Sequence, residues 1–177
     1  MRAAGKTDIT PTDISPCSGS LPEVEVPLIN TMVTCLGSDH QKLNFLTIQL
    51  ALAAGRLAAD ADDTDGRQRA FEIWDEIRRN LWTHLQIEDE LVFAWAKVHG
   101  AIPQALLEIL QKEHQEMHRL VKSLPASPSE ADSQPSASEK GASFGETLLA
   151  LAQELDSHVE RYDGEVLPSI SRALFRK

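Results

Sequence analysis

The sequence predicts an all-α protein, an up-down-up-down four-helix bundle with a flexible N-terminal arm and a disordered linker before the last helix. Three observations point there. Four long stretches repeat apolar residues at the three-and-four spacing of an amphipathic helix. No alternating β-branched run reads as a strand. The connections are short except one, which is rich in Ser, Pro and Ala.

Residues 1–27 carry Thr, Asp, Ser, Pro and Gly without an apolar period, which predicts the arm. The bundle then occupies 28–175, with the linker at 125–141 inside it. The first helix starts near Leu28 or Asn30 and ends at Ala59, with Leu36, His40, Leu43, Thr47, Leu50, Ala51 and Ala54 facing inward. Asp60 to Gly66 is an acidic turn that favours the start of the next helix. A cation-binding loop is the alternative there, but the terminal Glu of a calcium loop is missing. The second helix covers about Arg67 to Val98, with Trp74, Ile77, Leu81, Leu85, Leu91, Val92 and Trp95 inward; Gly100 is a suitable residue just past its end. The third runs from Pro103 to Leu124 with Leu106, Ile109, Leu110, His114, Met117, His118 and Val121 inward. The fourth runs from near Ser143 to Phe175, lined by Phe144, Leu148, Leu151, Leu155, His158, Tyr162, Val166, Ile170 and Leu174.

A chain of 177 residues fits one domain. The net charge of −10 argues against a nucleic-acid partner, which needs a basic stripe, and against an anionic membrane surface. No apolar run is long enough to span a bilayer, and no secretory leader is visible. The two cysteines, Cys17 and Cys35, lack metal-type spacing and read as reduced thiols of a cytoplasmic protein.

The chemistry lies in the histidines. Each helix carries one or two near its middle on the inner face: His40, His84, His114 with His118, and His158. His84 and Glu88 are four apart, as are His114 and His118, so each pair shares a helix face. In an antiparallel bundle these positions meet in one layer. A single core histidine is ordinarily a hydrogen-bonded packing residue. A layer of five would bury several polar groups at about 1–3 kcal/mol each if unpartnered, against a total stability of roughly 5–15 kcal/mol. A metal centre removes that cost. Nitrogen and oxygen ligands without thiolate suit Fe, Zn, Cu or Ni. Five imidazoles exceed one tetrahedral ion and fit two ions bridged by carboxylates, Glu88 being one. Helical spacing leaves the second bridge open. Asp163 lies about 140° round the helix from His158, unless a π-bulge turns it inward. Glu165 is nearer that face but farther along the axis, and Glu165 and Asp89 read most simply as solvent-facing or supporting residues. Tyr162, the sole tyrosine, faces inward with core packing and a satisfied hydroxyl as its default role.

The series His40, His84-x-x-x-Glu88, His114-x-x-x-His118, His158-x-x-x-x-Asp163 resembles hemerythrin and the hemerythrin-like HHE cation-binding domains, over about residues 30–175. The resemblance implies the remaining assignments. His114, His118 and His158 would hold one iron, and His40 and His84 the other. Glu88 and Asp163 would bridge them, which selects Asp163 over Glu165. The iron with two histidines would keep an open position facing an apolar oxygen pocket at Leu155 and Val159. The arm and the linker resemble the prokaryotic single-domain members more than the compact blood carriers.

Three functions follow. The first is a non-haem di-iron protein that reversibly binds dioxygen for storage, delivery or sensing. The second is a di-iron enzyme consuming hydrogen peroxide or nitric oxide, or an iron or redox-stress protein; Tyr162 is the one further side chain available for acid–base work, and His118, where repair-type relatives have Glu, favours oxygen binding. The third is a site that buffers Zn or another divalent metal. Expected partners are dioxygen or a similar diatomic or peroxide ligand, and an electron-transfer protein.

Overall fold

The computed structural model describes residues 25–60, 62–126 and 144–175. The expected arm up to residue 24 and the expected linker from 127 lie outside the described residues. Among the described residues every regular element is helical. The first rod is α1 (Glu25–Ala59). The second is α2 (Thr64–Ile87), a π-helical turn π1 (Glu88–Phe93) and α3 (Ala94–Val98). The third is α4 (Gln104–Ser123). The fourth is α5 (Phe144–Arg161), a second π-turn π2 (Tyr162–Val166) and α6 (Leu167–Leu174).

The boundaries follow local chemistry. α1 begins earlier than the sequence predicts and includes Pro27 in its first turn, where the missing N–H is no loss. The acidic turn closes on itself: the Asp62 backbone N–H donates to the Asp60 carboxylate, and Asp63 caps α2 by accepting from the Gly66 N–H. Gly100 has φ +57°, the left-handed conformation that ends a helix at little cost to glycine. Pro103 precedes α4 with extended backbone rather than forming its first residue. Pro125, expected in the linker, is instead buried, and its carbonyl accepts from the Trp74 indole N–H at 3.2 Å.

Two apolar clusters fill the interior. One joins Leu43–Leu57 of α1 to Ala70–Leu85, Met117–Leu124 and Leu148–Val159. The other joins Ile29 and Leu36 to Val92–Ile102, Leu106–Leu110 and Tyr162–Ile170. At Gly145 the α5 backbone presses on α1: a Cβ there would lie 3.0 Å from Leu57 Cβ. Most expected inward residues are buried. Leu91 is exposed, because π1 inserts one residue into the turn and shifts the register so that Val92 and Phe93 face in. Ile109 is also exposed; Leu107 and Leu110 fill the interior on that turn. No helix of the described residues is long and apolar enough to cross a membrane.

Candidate metal centre

The two apolar clusters are separated by a polar layer. Leu36 and Leu43 flank His40; Leu85 and Val92 flank Glu88; Leu110 and Met117 flank His114; Leu155 and Tyr162 flank His158. The helical period that buries these apolar residues buries the polar ones between them. His40, His84, Glu88, His114 and His158 are all essentially inaccessible.

Glu88 is the centre of the layer. Its Oε1 lies 3.3 Å from His40 Nε2 and 3.5 Å from His84 Nε2. Its Oε2 lies 3.2 Å from both His114 Nε2 and His158 Nε2. One carboxylate therefore faces two pairs of imidazoles, one pair per oxygen. His40 and His84 also meet directly, Nε2 to Nε2, at 3.0 Å. Ligand atoms of His40, His84, Glu88 and His158 all lie within 4.8 Å of one another.

Each inward-facing imidazole has a carboxylate at its other nitrogen. Asp163 Oδ1 is 2.8 Å from His40 Nδ1, and Asp89 Oδ1 is 3.0 Å from His114 Nδ1. Glu113 Oε2 is 3.5 Å from His158 Nδ1, and Asp39 Oδ2 is 3.7 Å from His84 Nδ1. Glu113 is itself held by the Arg161 guanidinium, whose Nε donates to Oε1 at 2.7 Å. Carboxylates behind imidazoles fix ring orientation and direct the other nitrogen inward, as they do around metal ions.

The charges follow from this arrangement. Burial alone would raise the Glu88 carboxyl, but His114, His158 and His40 outweigh it and hold it well below the usual range. Burial disfavours charge on His158, yet Glu113 and Glu88 push it up to about 9. His114 moves up as well: burial opposes, and Asp89 with Glu88 prevails. His84 moves down, because burial and the neighbouring His40 and His158 outweigh Glu88.

The fit to a metal can be tested on the polar atoms themselves. Both Glu88 oxygens and the Nε2 atoms of His114 and His158 are buried and make no hydrogen bond. They are close to one another but are not aligned as donor and acceptor. Atoms so placed point toward shared space between them, and a cation there would satisfy them together. The donor set is nitrogen and oxygen, which suits first-row divalent metals.

Two expected ligands sit differently. His118 is only partly buried and leans outward, its ring centroid 4.6 Å from that of Trp82, where the flat indole offers it an apolar surface. Asp163 is turned toward the bundle by π2, but its side chain is 45 % exposed and reaches the outer nitrogen of His40 rather than the space beside Glu88. Leu155 and Val159, the expected oxygen pocket, are buried next to His158. Glu165 is exposed, 3.8 Å from Arg161. Tyr162 is fully buried with its ring centroid 4.6 Å from that of His40, and its hydroxyl has no hydrogen-bond partner, contrary to the expected satisfied core tyrosine. Burial, then Glu88 and Asp163, push this phenol well above its ordinary value.

Sequence reasoning missed Asp39, Glu113 and Arg161. Glu113 had a signal: it completes the four-three repeat Leu106, Leu110, Glu113, Met117, Leu120, all buried. Asp39 and Arg161 had none beyond adjacency to the histidine face.

A search of curated proteins finds no match to the chain, and neither does a search of solved structures. The family model described as the hemerythrin HHE cation-binding domain matches residues 24–170, which take in every helix that carries the buried histidine layer. The chain belongs to the hemerythrin HHE cation-binding domain family.

Proposed function

We propose that this chain is a non-haem di-iron protein that reversibly binds dioxygen. One observation carries the reading: each oxygen of the buried Glu88 carboxylate is faced by its own pair of imidazole nitrogens, which suits a carboxylate shared between two cations. In this reading His40 and His84 hold one iron. His114 and His158, joined by His118, would hold the other, with Glu88 shared between the two and Asp163 joining it on turning from the outer nitrogen of His40. Two ferrous ions supply the electrons that reversible dioxygen binding requires. The chain would supply the rest: Asp39, Asp89 and Glu113 orient the imidazoles, and Leu155 and Val159 keep water from the site. An up-down-up-down helix order belongs to the same proposal. It is supported by the packing of the start of α1 against the end of the second and fourth rods. A cytoplasmic location belongs to the same proposal.

The experiment combines metal analysis with optical spectroscopy. Protein from iron-replete cells should hold about two irons per chain. The reduced form should gain a visible absorption band in oxygen and lose it under argon over repeated cycles. Immediate oxidation with no reversible band would refute oxygen carriage, and a zinc-filled site that rejects iron would leave metal buffering.

A second reading, consumption of hydrogen peroxide or nitric oxide, has one observation in its favour. The Tyr162 hydroxyl is buried beside His40 and unpartnered, so it is free to exchange a proton with a bound ligand. Steady turnover that disappears in Tyr162→Phe would favour this reading over carriage.

A further inference from the structure

A cavity of about 380 Å³ lies between α6 and the turn that joins α3 to α4. Trp95, His99 and Pro103 line it from one side, Ser169 and Arg172 from the other, and no Asp or Glu is in its wall. Two groups there lack the partner their chemistry asks for. Trp95 is 8 % exposed, and its indole N–H is buried without a hydrogen bond, whereas the buried indole of Trp74 donates to the Pro125 carbonyl. Arg172 donates to the Ser169 hydroxyl at 3.0 Å and meets no carboxylate among the described residues. Arg69, Arg78, Arg79, Arg119 and Arg161 each sit against one. The opposite wall is fixed in place. His99 stacks on the Trp95 ring, centroids 4.7 Å apart, and its Nδ1–H donates to the Trp95 carbonyl at 2.8 Å. The His99 backbone N–H donates to the same oxygen at 3.1 Å, so that carbonyl at the negative end of α3 is already engaged. After Pro103, α4 begins without a side-chain cap, which leaves the positive end of a 20-residue helix at this wall.

We propose that this cavity binds a small organic anion, held through its carboxylate or phosphate by Arg172, Ser169 and the Trp95 N–H. The guanidinium supplies a charge and paired donors for an oxyanion. The uncapped start of α4 adds to that field, and no acidic side chain in the wall opposes it. The indole N–H gains the acceptor it lacks. Size and surface select an organic ligand over a bare ion. The volume falls in the range of metabolite pockets, about 300–1,000 Å³, and Trp95, Ala101, Pro103 and Ala173 offer apolar surface to a carbon body. The net charge of −10 repels anions at long range, so affinity is modest, with Kd on the order of 0.1–1 mM. The ligand bridges the second and fourth rods beyond π1 and π2, and so ties together the ends of the two rods that carry Glu88 and Asp163.

Nitrogen-edited NMR of the full chain tests this through the indole N–H signals of Trp74, Trp82 and Trp95, the last assigned with Trp95→Phe. Butyrate and glycerol phosphate are the probes, with acetate and inorganic phosphate as their bare counterparts, at constant ionic strength. The Trp95 signal should move and saturate with a Kd of about 0.1–1 mM, while that of Trp82 stays in place. The tighter of the two organic probes names the headgroup, and the bare ions should bind at least ~5-fold more weakly for want of a carbon body. Arg172→Gln should weaken binding at least ~10-fold and Arg172→Lys should recover part of it. Arg172 is exposed, so both variants should keep the wild-type helical circular dichroism. The tighter probe should raise the melting temperature of the wild type and not that of Arg172→Gln. A Trp95 signal that stays still up to about 20 mM of every probe overturns the proposal. An affinity unchanged in Arg172→Gln overturns it too, since the anion would then sit elsewhere, and equal affinity for the bare ions overturns the organic ligand.

Discussion

Stripped of metal by a chelator, the protein should lose stability as pH rises from 6.5 to 9. His158 is buried, and its imidazole is pushed from 6.5 up to about 9: burial opposes the charge, and Glu113 and Glu88 overcome it. A basic group with a raised folded pKa contributes its full stabilisation below the unfolded value and loses it as pH passes the folded one. Here that window runs from about 6.5 to about 9, and the contribution at stake is roughly 3 kcal/mol. His114 adds in the same direction. His84 acts oppositely: burial depresses it, so it costs stability only below its unfolded value and places the maximum near neutrality. Against a total of roughly 5–15 kcal/mol such a loss is easily measured. Urea unfolding followed by circular dichroism at pH 6.5, 7.5 and 9 is the assay. Glu113→Gln should shrink the loss, because it removes one of the two carboxylates holding the proton on His158. Saturating metal should reverse the trend, since the ligating nitrogens must be neutral and binding releases protons. Metal-free stability that stays flat or rises between pH 6.5 and 9 would refute this account of the layer.

Three further outcomes can be checked independently. Glu88→Ala should release both ions together, taking metal content from about two per chain to well below one by elemental analysis; a variant that keeps two ions removes Glu88 from the bridge. Gly145→Ala should destabilise by about 1–3 kcal/mol in thermal melts, because the new Cβ meets Leu57 Cβ at 3.0 Å and the Ala54 carbonyl at 3.3 Å. Tyr162→Phe should leave the metal-free protein as stable as wild type or raise it by about 1 kcal/mol, because the hydroxyl removed is buried without a partner; a loss of stability there would mean that the hydroxyl has a partner after all.

The helices and the polar layer were legible because one rule writes both. The period that puts Leu36 and Leu43 inside also puts His40 inside, and the same holds for Leu110, His114 and Met117. Of the two π-turns, the one at Tyr162–Val166 entered only as the condition for Asp163 to turn inward, and the one at Glu88–Phe93 was not legible. Nothing in Glu88–Phe93 announces an inserted residue, and the 3.6 period extrapolated through it assigns Leu91 to the core. In the fourth rod the family resemblance pointed to Asp163, and π2 is the physical device that turns it toward His40. The lean of His118 depends on Trp82, a residue of another helix, and no local pattern encodes such a partner. Glu113 was readable from its repeat, but a charged residue in an apolar series invites assignment to the surface.

The histidine layer divides the apolar interior into two masses, one on each side. Cooperativity between the ends of the molecule must therefore pass through this polar layer. Bound cations should couple the two masses more tightly than the metal-free layer does, so that without metal the ends open more independently. Native-state hydrogen exchange would then sort the amides into two protection classes, one following Leu43–Leu57 and its neighbours, the other Val92–Leu110, and the two would merge on adding metal.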